Sequence, residues 1–223
     1  MKIAIVIGAT GLVGTQLIHL LLDDNRFSKL IVFSRRPLHL TNAKLEEHLI
    51  DFDKPGTWQH LVKGDVFCST LGTTLKQAGG QQAQYKIDYT YQYAFAQAAA
   101  YNGVPVYVLV SSPSANPDAK FFYLRMKGEL ERDIRSLNFS NIHIIQPGLL
   151  VGDREQERFG EKFGYKILRV LNIMGIFMKY RPVHGKIVAQ AMVKAAMSTA
   201  KGVHLYTLED VFNLAGLNGD SQL

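Results

Sequence analysis

The chain has one cysteine, Cys68, among its 223 residues. A lone thiol excludes an internal disulfide framework and points to a reducing compartment. There is no internal repeat, no low-complexity tract and no Pro/Ser-rich linker, so nothing marks a domain boundary. The opening "MKIAIVIGATG" has a lysine and an apolar run like a targeting signal, yet the run is too short to span a bilayer and ends in glycines. A cytoplasmic protein without stable membrane association is therefore expected. The net charge is +6, but the basic residues are scattered and no basic run is interleaved with aromatics. A stacking platform for nucleic acid is not indicated, and no nucleic-acid partner or metal site is expected.

What is present is enough apolar material, 47% of the chain, to bury the core of one domain spanning 1–223. Six β-branched runs recur: "KIAIVIG", "KLIVFS", "EHLIDF", "DVFCST", "VPVYVLVSS" and "NIHIIQPG". Each is nearly continuous in apolar residues, as strands covered on both faces are. Between them lie helical patterns: "TGLVGTQLIHLLLDD", "GQQAQYKIDYTYQYAFAQAAAYN" and "DAKFFYLRMKGELERDIRSL". Their lengths suit right-handed crossovers, so the expected fold is α/β with a doubly wound, mostly parallel sheet. Asn102-Gly103, with Pro105 after it, should stop the second of these helices. The pattern loosens over 149–183, the variable substrate-side segment, before a helix "HGKIVAQAMVKAAMS", a strand "GVHLYTL" and a terminal helical piece.

Ligands in such folds sit at the carboxyl ends of the strands. The first strand runs into "GATGLVG", so Gly8, Ala9, Thr10, Gly11, Leu12, Val13 and Gly14 form a turn leading into a helix. The three glycines permit the tight turn and close approach of a pyrophosphate, which the helix N–H groups bind. Where an NAD-binding chain places a carboxylate, the second strand ends in Ser34, Arg35 and Arg36. A guanidinium fork binds phosphate, and so the expected cofactor is NADP(H). Asp51 and Phe52, at the end of the third strand, are placed for the adenine. Leu71, Gly72 and Thr73, after the fourth, are placed for the ribose. Cys68 is expected to be a buried small hydrophobe.

The fifth strand ends in Ser111 and Ser112, and Tyr123 and Lys127 follow in the next helix, one turn apart. The topology gathers hydroxyl, phenol and ammonium at the nicotinamide end of the cofactor. This order resembles the short-chain dehydrogenase/reductase superfamily. "GATGLVG", "SRRP", "CSTLGTT", "FFYLRMKGELE" and "QPGLLVGDREQERFGE" together resemble its atypical Tat-interacting-protein family over nearly the whole chain. That resemblance implies NADPH binding, and its eukaryotic members are discussed as regulators of transcription and nuclear transport.

The residues permit carbonyl reduction. Ser112 would hold the substrate oxygen and Tyr123 would protonate it. A free phenol keeps its proton to about pH 10, so the Lys127 charge, which favours the phenolate, is what this chemistry requires. No Asn completing the set is identified; Gln84 and Asp88 lie in the right region of the long helix. Pro147 and Gly148 would close the nicotinamide pocket, with Gly152, Asp153, Arg154 and Arg158 at the substrate entrance. "ILRVLNIMGIFM" packs a core or walls an apolar pocket, and His184 caps a helix or sits at the surface. Two functions follow: an NADPH-dependent reductase of a small carbonyl compound, or an NADP(H)-sensing regulator read by a protein partner. Either a monomer or a homodimer is compatible with the sequence.

Overall fold

A computed structural model describes residues 1–151 and 182–217 of the chain. The apolar runs form strands β1 (Lys2–Ile7), β2 (Phe27–Ser34), β3 (Leu45–Leu49), β4 (Val66–Ser69), β5 (Val106–Val110) and β6 (Asn141–Gln146). Among the described residues they make a seven-stranded sheet in the order β3-β2-β1-β4-β5-β6-β9, where β9 is Gly202–Thr207. Every neighbouring pair in it is parallel. The two-residue side-chain period of β1 sends Ala4 and Val6 to one core and Ile5 and Ile7 to the other. Both faces of the sheet are therefore covered, and the doubly wound α/β fold is the one observed.

Helix α1 (Leu12–Asp23) buries Val13, Leu17, Ile18, Leu21 and Leu22, one stripe at helical spacing. Two very short helices, α2 (Pro55–Trp58) and α3 (Leu75–Ala78), lead to a long α4. It runs as Gln81–Tyr85, Lys86–Tyr91 and Gln92–Tyr101, and the middle piece is a π-helix. Gly103 ends it at φ +78°, as the Asn-Gly signal suggested. Helix α5 (Phe122–Ile134) buries Met126, Lys127, Leu130, Glu131 and Ile134. Two of those five are charged, which pure packing would not select. A two-stranded parallel sheet, β7 (Leu150–Val151) with β8 (Val183–His184), pins together the ends of the 149–183 segment. Helices α6 (Gly185–Ala196) and α7 (Glu209–Ala215) complete the α1 face. His184 stands at the N-cap of α6 without a side-chain capping bond.

Two expectations need correction. The third strand spans Leu45–Leu49, earlier than "EHLIDF", and it is half-exposed. As an edge strand it has one neighbour, so "LEEHL" can carry charge where an inner strand could not. Asp51 consequently lies in a turn past the strand, its Oδ1 accepting the Asp53 N–H at 3.0 Å. The long helix also departs from uniform α geometry, because its π-turn adds a residue beside Asp88. Such turns mark functional sites often enough to direct attention there.

Candidate functional site

The strand order reverses between β1 and β4, and the loops after these strands meet there. Gly8 has φ +81°, and a Cβ on it would lie 2.4 Å from Leu71 N and from the Thr70 carbonyl carbon. A Cβ on Gly14 would lie 2.1 Å from the Gly8 oxygen. Only glycine fits at either position, and the 8–14 and 70–73 loops touch backbone to backbone. Gly11 is the N-cap of α1, with no side-chain capping bond and no acid in the first helical turn. The start of α1, with Leu12 and Val13, thus has a positive dipole end that no carboxylate of its own first turn neutralises, which suits an anion site. From the other side, Gly185 of α6 packs so closely that its Cβ would lie 2.7 Å from Leu12 O.

Arg35 and Arg36 lie just past β2, both exposed, and neither guanidinium makes a hydrogen bond or ion pair among the described residues. A cavity of about 310 Å³ lies nearby between Ala9, Thr10, Thr15 and His19 on one side and the loop from Pro37 to Leu40 on the other. The Ser34 hydroxyl turns inward, 2.8 Å from the Arg36 carbonyl and 3.0 Å from Glu47 Oε1. Its contribution is to shape the arginine loop. Glu47 also accepts the Leu38 N–H at 2.9 Å, fixing the same loop from β3. The Phe52 ring is buried against Tyr91 and Phe95, which leaves only its backbone for a ligand. The Asp51 carboxylate is half-exposed, 3.4 Å from Lys54.

Leu71, Gly72 and Thr73 are held from α4. Asp88 is only 1% exposed, and its Oδ1 accepts the Thr73 N–H at 2.7 Å. Gln84 Nε2 donates to the Thr73 carbonyl at 3.1 Å. One turn on, Gln92 donates to the Asp88 carbonyl at 2.7 Å and accepts from Ser69 at 2.6 Å. Gln84, Asp88 and Gln92 recur at four-residue spacing on the buried side of α4, a signal that could have identified them in the sequence. Burial pushes the Asp88 carboxyl above its ordinary range, while the Lys127 charge and the Thr73 N–H pull it back.

Lys127 is 4% exposed, and among the described residues its ammonium has no hydrogen-bond or ion-pair partner. Tyr123, one turn earlier, is 40% exposed and its hydroxyl makes no hydrogen bond there. Ser111 continues the β5–β6 ladder through its N–H to the Ile145 carbonyl at 2.8 Å, and Ser112 follows half-buried. Beyond Pro113 the chain turns at Ser114, φ +62°, and Asn116 N–H bonds the Leu124 carbonyl at 3.1 Å. This folds the serine loop back onto the first turn of α5. A Cβ on Gly128 would lie 2.1 Å from the Asn116 carbonyl carbon and 2.3 Å from Pro117 N. Gly128→Ala is therefore expected to cost about 1–3 kcal/mol, read by urea unfolding, because backbone must move to make room.

Geometry links several of the candidates: the Gly8 turn to Leu71, Thr73 to Asp88 on α4, and Gln146 of β6 to Glu131, which lies one turn after Lys127 on α5. Pro147, buried, and Gly148 follow Gln146 at the end of β6. Gly152, Asp153, Arg154, Arg158 and "ILRVLNIMGIFM" fall outside the described residues. Cys68 is fully buried in β4, its thiol pushed up to about 12 by burial, so it has no reactive role. A larger concavity of about 830 Å³, lined by Gln59, His60, Ala98, Tyr101 and Leu137, lies at the amino-terminal edge of β5 and β6. It is remote from the strand ends where the chemistry-bearing groups collect.

A family described as NAD(P)H-binding matches residues 8–167. The chain is 36% identical to "Protein FMP52, mitochondrial" of Meyerozyma guilliermondii, over 89% of this chain and 87% of that protein. With the Saccharomyces cerevisiae protein of the same name it shares 34%, over 88% of each. Among solved structures it resembles the Bordetella bronchiseptica enzyme WbmH in complex with NAD+. That match has a TM-score of 0.69 and 18% identity, covering 93% of this chain and 75% of that one. It also resembles a short-chain dehydrogenase/reductase superfamily protein of Agrobacterium tumefaciens with bound NAD, at TM-score 0.66 and 15% identity, covering 92% and 77%. Both likenesses are of fold. The cytoplasmic expectation is corrected by the relatives, whose names carry the designation mitochondrial. A short apolar start and a single cysteine are equally compatible with that compartment.

Proposed function

The chain belongs to the NAD(P)H-binding family, within the short-chain dehydrogenase/reductase type of Rossmann fold, and from that premise we propose that it is an NADP(H)-dependent oxidoreductase. Its substrate is a small carbonyl compound, reduced with Tyr123 as proton donor, and by its relatives' names its setting is mitochondrial. The observation that carries the reading is the buried Lys127, without a hydrogen-bond or ion-pair partner among the described residues, one turn from the exposed Tyr123.

The residues fit the cofactor. Gly8 and Gly14 have no room for a side chain, and the first turn of α1 contains no acid to compete with a pyrophosphate. Arg35 and Arg36 would take the 2′-phosphate through paired N–H donors, where a carboxylate would repel it. Bound, the nicotinamide supplies hydride. Ser112 would then hold the carbonyl oxygen by its hydroxyl, and Tyr123 would release its proton to that oxygen. The Lys127 charge favours the phenolate that Tyr123 becomes.

Binding titrations test the cofactor assignment. Wild-type protein is expected to bind NADPH at least about 30-fold more tightly than NADH. Arg35→Ala with Arg36→Ala should lose about 10- to 100-fold toward NADPH and little toward NADH. Equal affinities for both nucleotides in the wild type would assign the arginines to a solvated loop.

A further inference from the structure

Glu131 is a second charged residue in the buried stripe of α5, one turn beyond Lys127 and two beyond Tyr123, and it is 5% exposed. Nothing in the reaction outlined above uses it. Its Oε1 accepts from Gln146 Nε2, at the end of β6, at 2.8 Å. Its Oε2 is 3.9 Å from the Arg135 guanidinium, a loose contact on the outer side of the helix. Ser111, at the end of β5, lies close enough for its hydroxyl to favour the charged carboxyl, yet closes no hydrogen bond of normal geometry. The Ser111 Oγ is buried without a partner among the described residues.

Lys127 thus lies one turn before the buried Glu131 on α5, and α5 packs against the π-helical part of α4 that carries the buried Asp88. Inside a protein one ammonium balances one carboxylate, and a second buried negative charge is costly unless it is protonated. The two acids are not equivalent. Asp88 takes a short bond from a backbone N–H and the Lys127 charge, the first of the influences opposing its burial. Glu131 has a neutral amide and a weak hydroxyl contact, with Arg135 and Lys127 acting more distantly. Burial pushes the Glu131 carboxyl above its ordinary range. Among the described residues Glu131, unlike Asp88, accepts no backbone N–H, so no fixed peptide donor holds it in the charged form.

We propose that Glu131 is a positioning residue that holds or releases a proton beside Lys127, setting how much of the lysine charge reaches Tyr123 and the cofactor. The proposal rests on the NADP(H) reading above. With its proton on, Glu131 leaves the Lys127 charge free to act on the phenol and on the nucleotide. When the proton passes to water, the new carboxylate offsets that charge from one turn away, and nucleotide affinity falls. Among the described residues the groups acting on Glu131 are Lys127 and Arg135 on its own helix, Ser111 on β5 and Gln146 on β6, with Asp88 on the packed α4 acting on Lys127 in turn. Of these only Asp88 adds negative charge, and a Thr73 N–H holds it in place.

The test compares wild type with Glu131→Gln, which keeps an acceptor for Gln146 and cannot ionise. NADPH affinity is measured by fluorescence from pH 5 to 9, and the melting temperature of nucleotide-free protein at the same pH values. Titration of the nucleotide's own 2′-phosphate is common to both proteins and cancels in their ratio. The ratio of wild-type to variant Kd is expected to rise about 3- to 10-fold from pH 5 to pH 9. The nucleotide-free melts have a definite sign. An acid raised by folding costs stability once pH exceeds its unfolded value and increasingly up to its folded one. The variant should therefore gain on wild type as pH rises from about 4.5. A Kd ratio flat across the range, with NADPH bound by both proteins, overturns the role of Glu131 alone. Absence of NADPH binding in both proteins at every pH overturns the cofactor reading and this inference with it.

Discussion

Gly14→Ala is expected to abolish measurable NADPH binding, a loss of at least about 100-fold, and to destabilise the fold by about 3 kcal/mol or more. The added Cβ would stand 2.1 Å from the Gly8 oxygen, 2.8 Å from the Gly8 carbonyl carbon and 2.8 Å from Thr70 Oγ1. Two of these are backbone atoms of the turn itself, so no side-chain rotation relieves them. Gly8 in turn is fixed at φ +81° against the 70–71 backbone, and Gly11 N–H bonds the Gly8 carbonyl at 3.0 Å. Pushing the Gly8 carbonyl away tilts the first turn of α1 and misaims the N–H groups that would meet the pyrophosphate. Gly56→Ala is the matched control, since a Cβ there meets nothing within 4 Å. It should leave binding unchanged. Retention of full affinity by Gly14→Ala would place the nucleotide elsewhere.

Tyr123→Phe is expected to lower kcat by about 10²- to 10⁴-fold while changing NADPH affinity less than about 3-fold. The substitution removes one oxygen from a ring that is 40% exposed and makes no hydrogen bond among the described residues. Little stability rests on that oxygen, so the melting temperature should stay within about 2 °C of wild type. Lys127→Met should behave differently. It removes a buried ammonium whose charge favours the ionised forms of Asp88 and Glu131, so turnover and cofactor binding should fall together. Equal losses of binding in both variants would make Tyr123 a cofactor-holding residue only.

The elements that carry the fold were legible because their signals were local. In β1 the alternate side chains serve two cores and read as one apolar run, and in α1 five buried residues recur at helical spacing. The glycine turn was legible for the same reason, since Gly8 and Gly14 are needed sterically within one short loop and its neighbour. The bounds of the third strand are not legible because an edge strand need not be apolar, and "LEEHL" hides its pairing with β2 behind charges. The π-turn in α4 could not be read, since its extra residue leaves no trace in composition. In the sequence Asp88 stands out only as an approximate match for a missing Asn. Its role as a latch on Thr73 depends on a contact 15 residues away in sequence. Glu131 carries no signal in the sequence because a charged residue on a helix ordinarily faces water, and only the packing of α5 against β5 and β6 turns it inward. The Ser34 hydroxyl shows the converse: it stands at the right strand end and is bound internally by Glu47 and the Arg36 carbonyl.

The measurement closest to the centre of this account is consumption of NADPH by the purified wild-type protein, followed with a panel of aldehydes, ketones and quinones and with product analysis. A reductase with Tyr123 as proton donor forms one alcohol for each NADPH consumed, and it does so for at least one compound in the panel. Tight NADPH binding with no turnover of any compound would contradict that claim, and would identify the site as one that senses the nucleotide without reacting it.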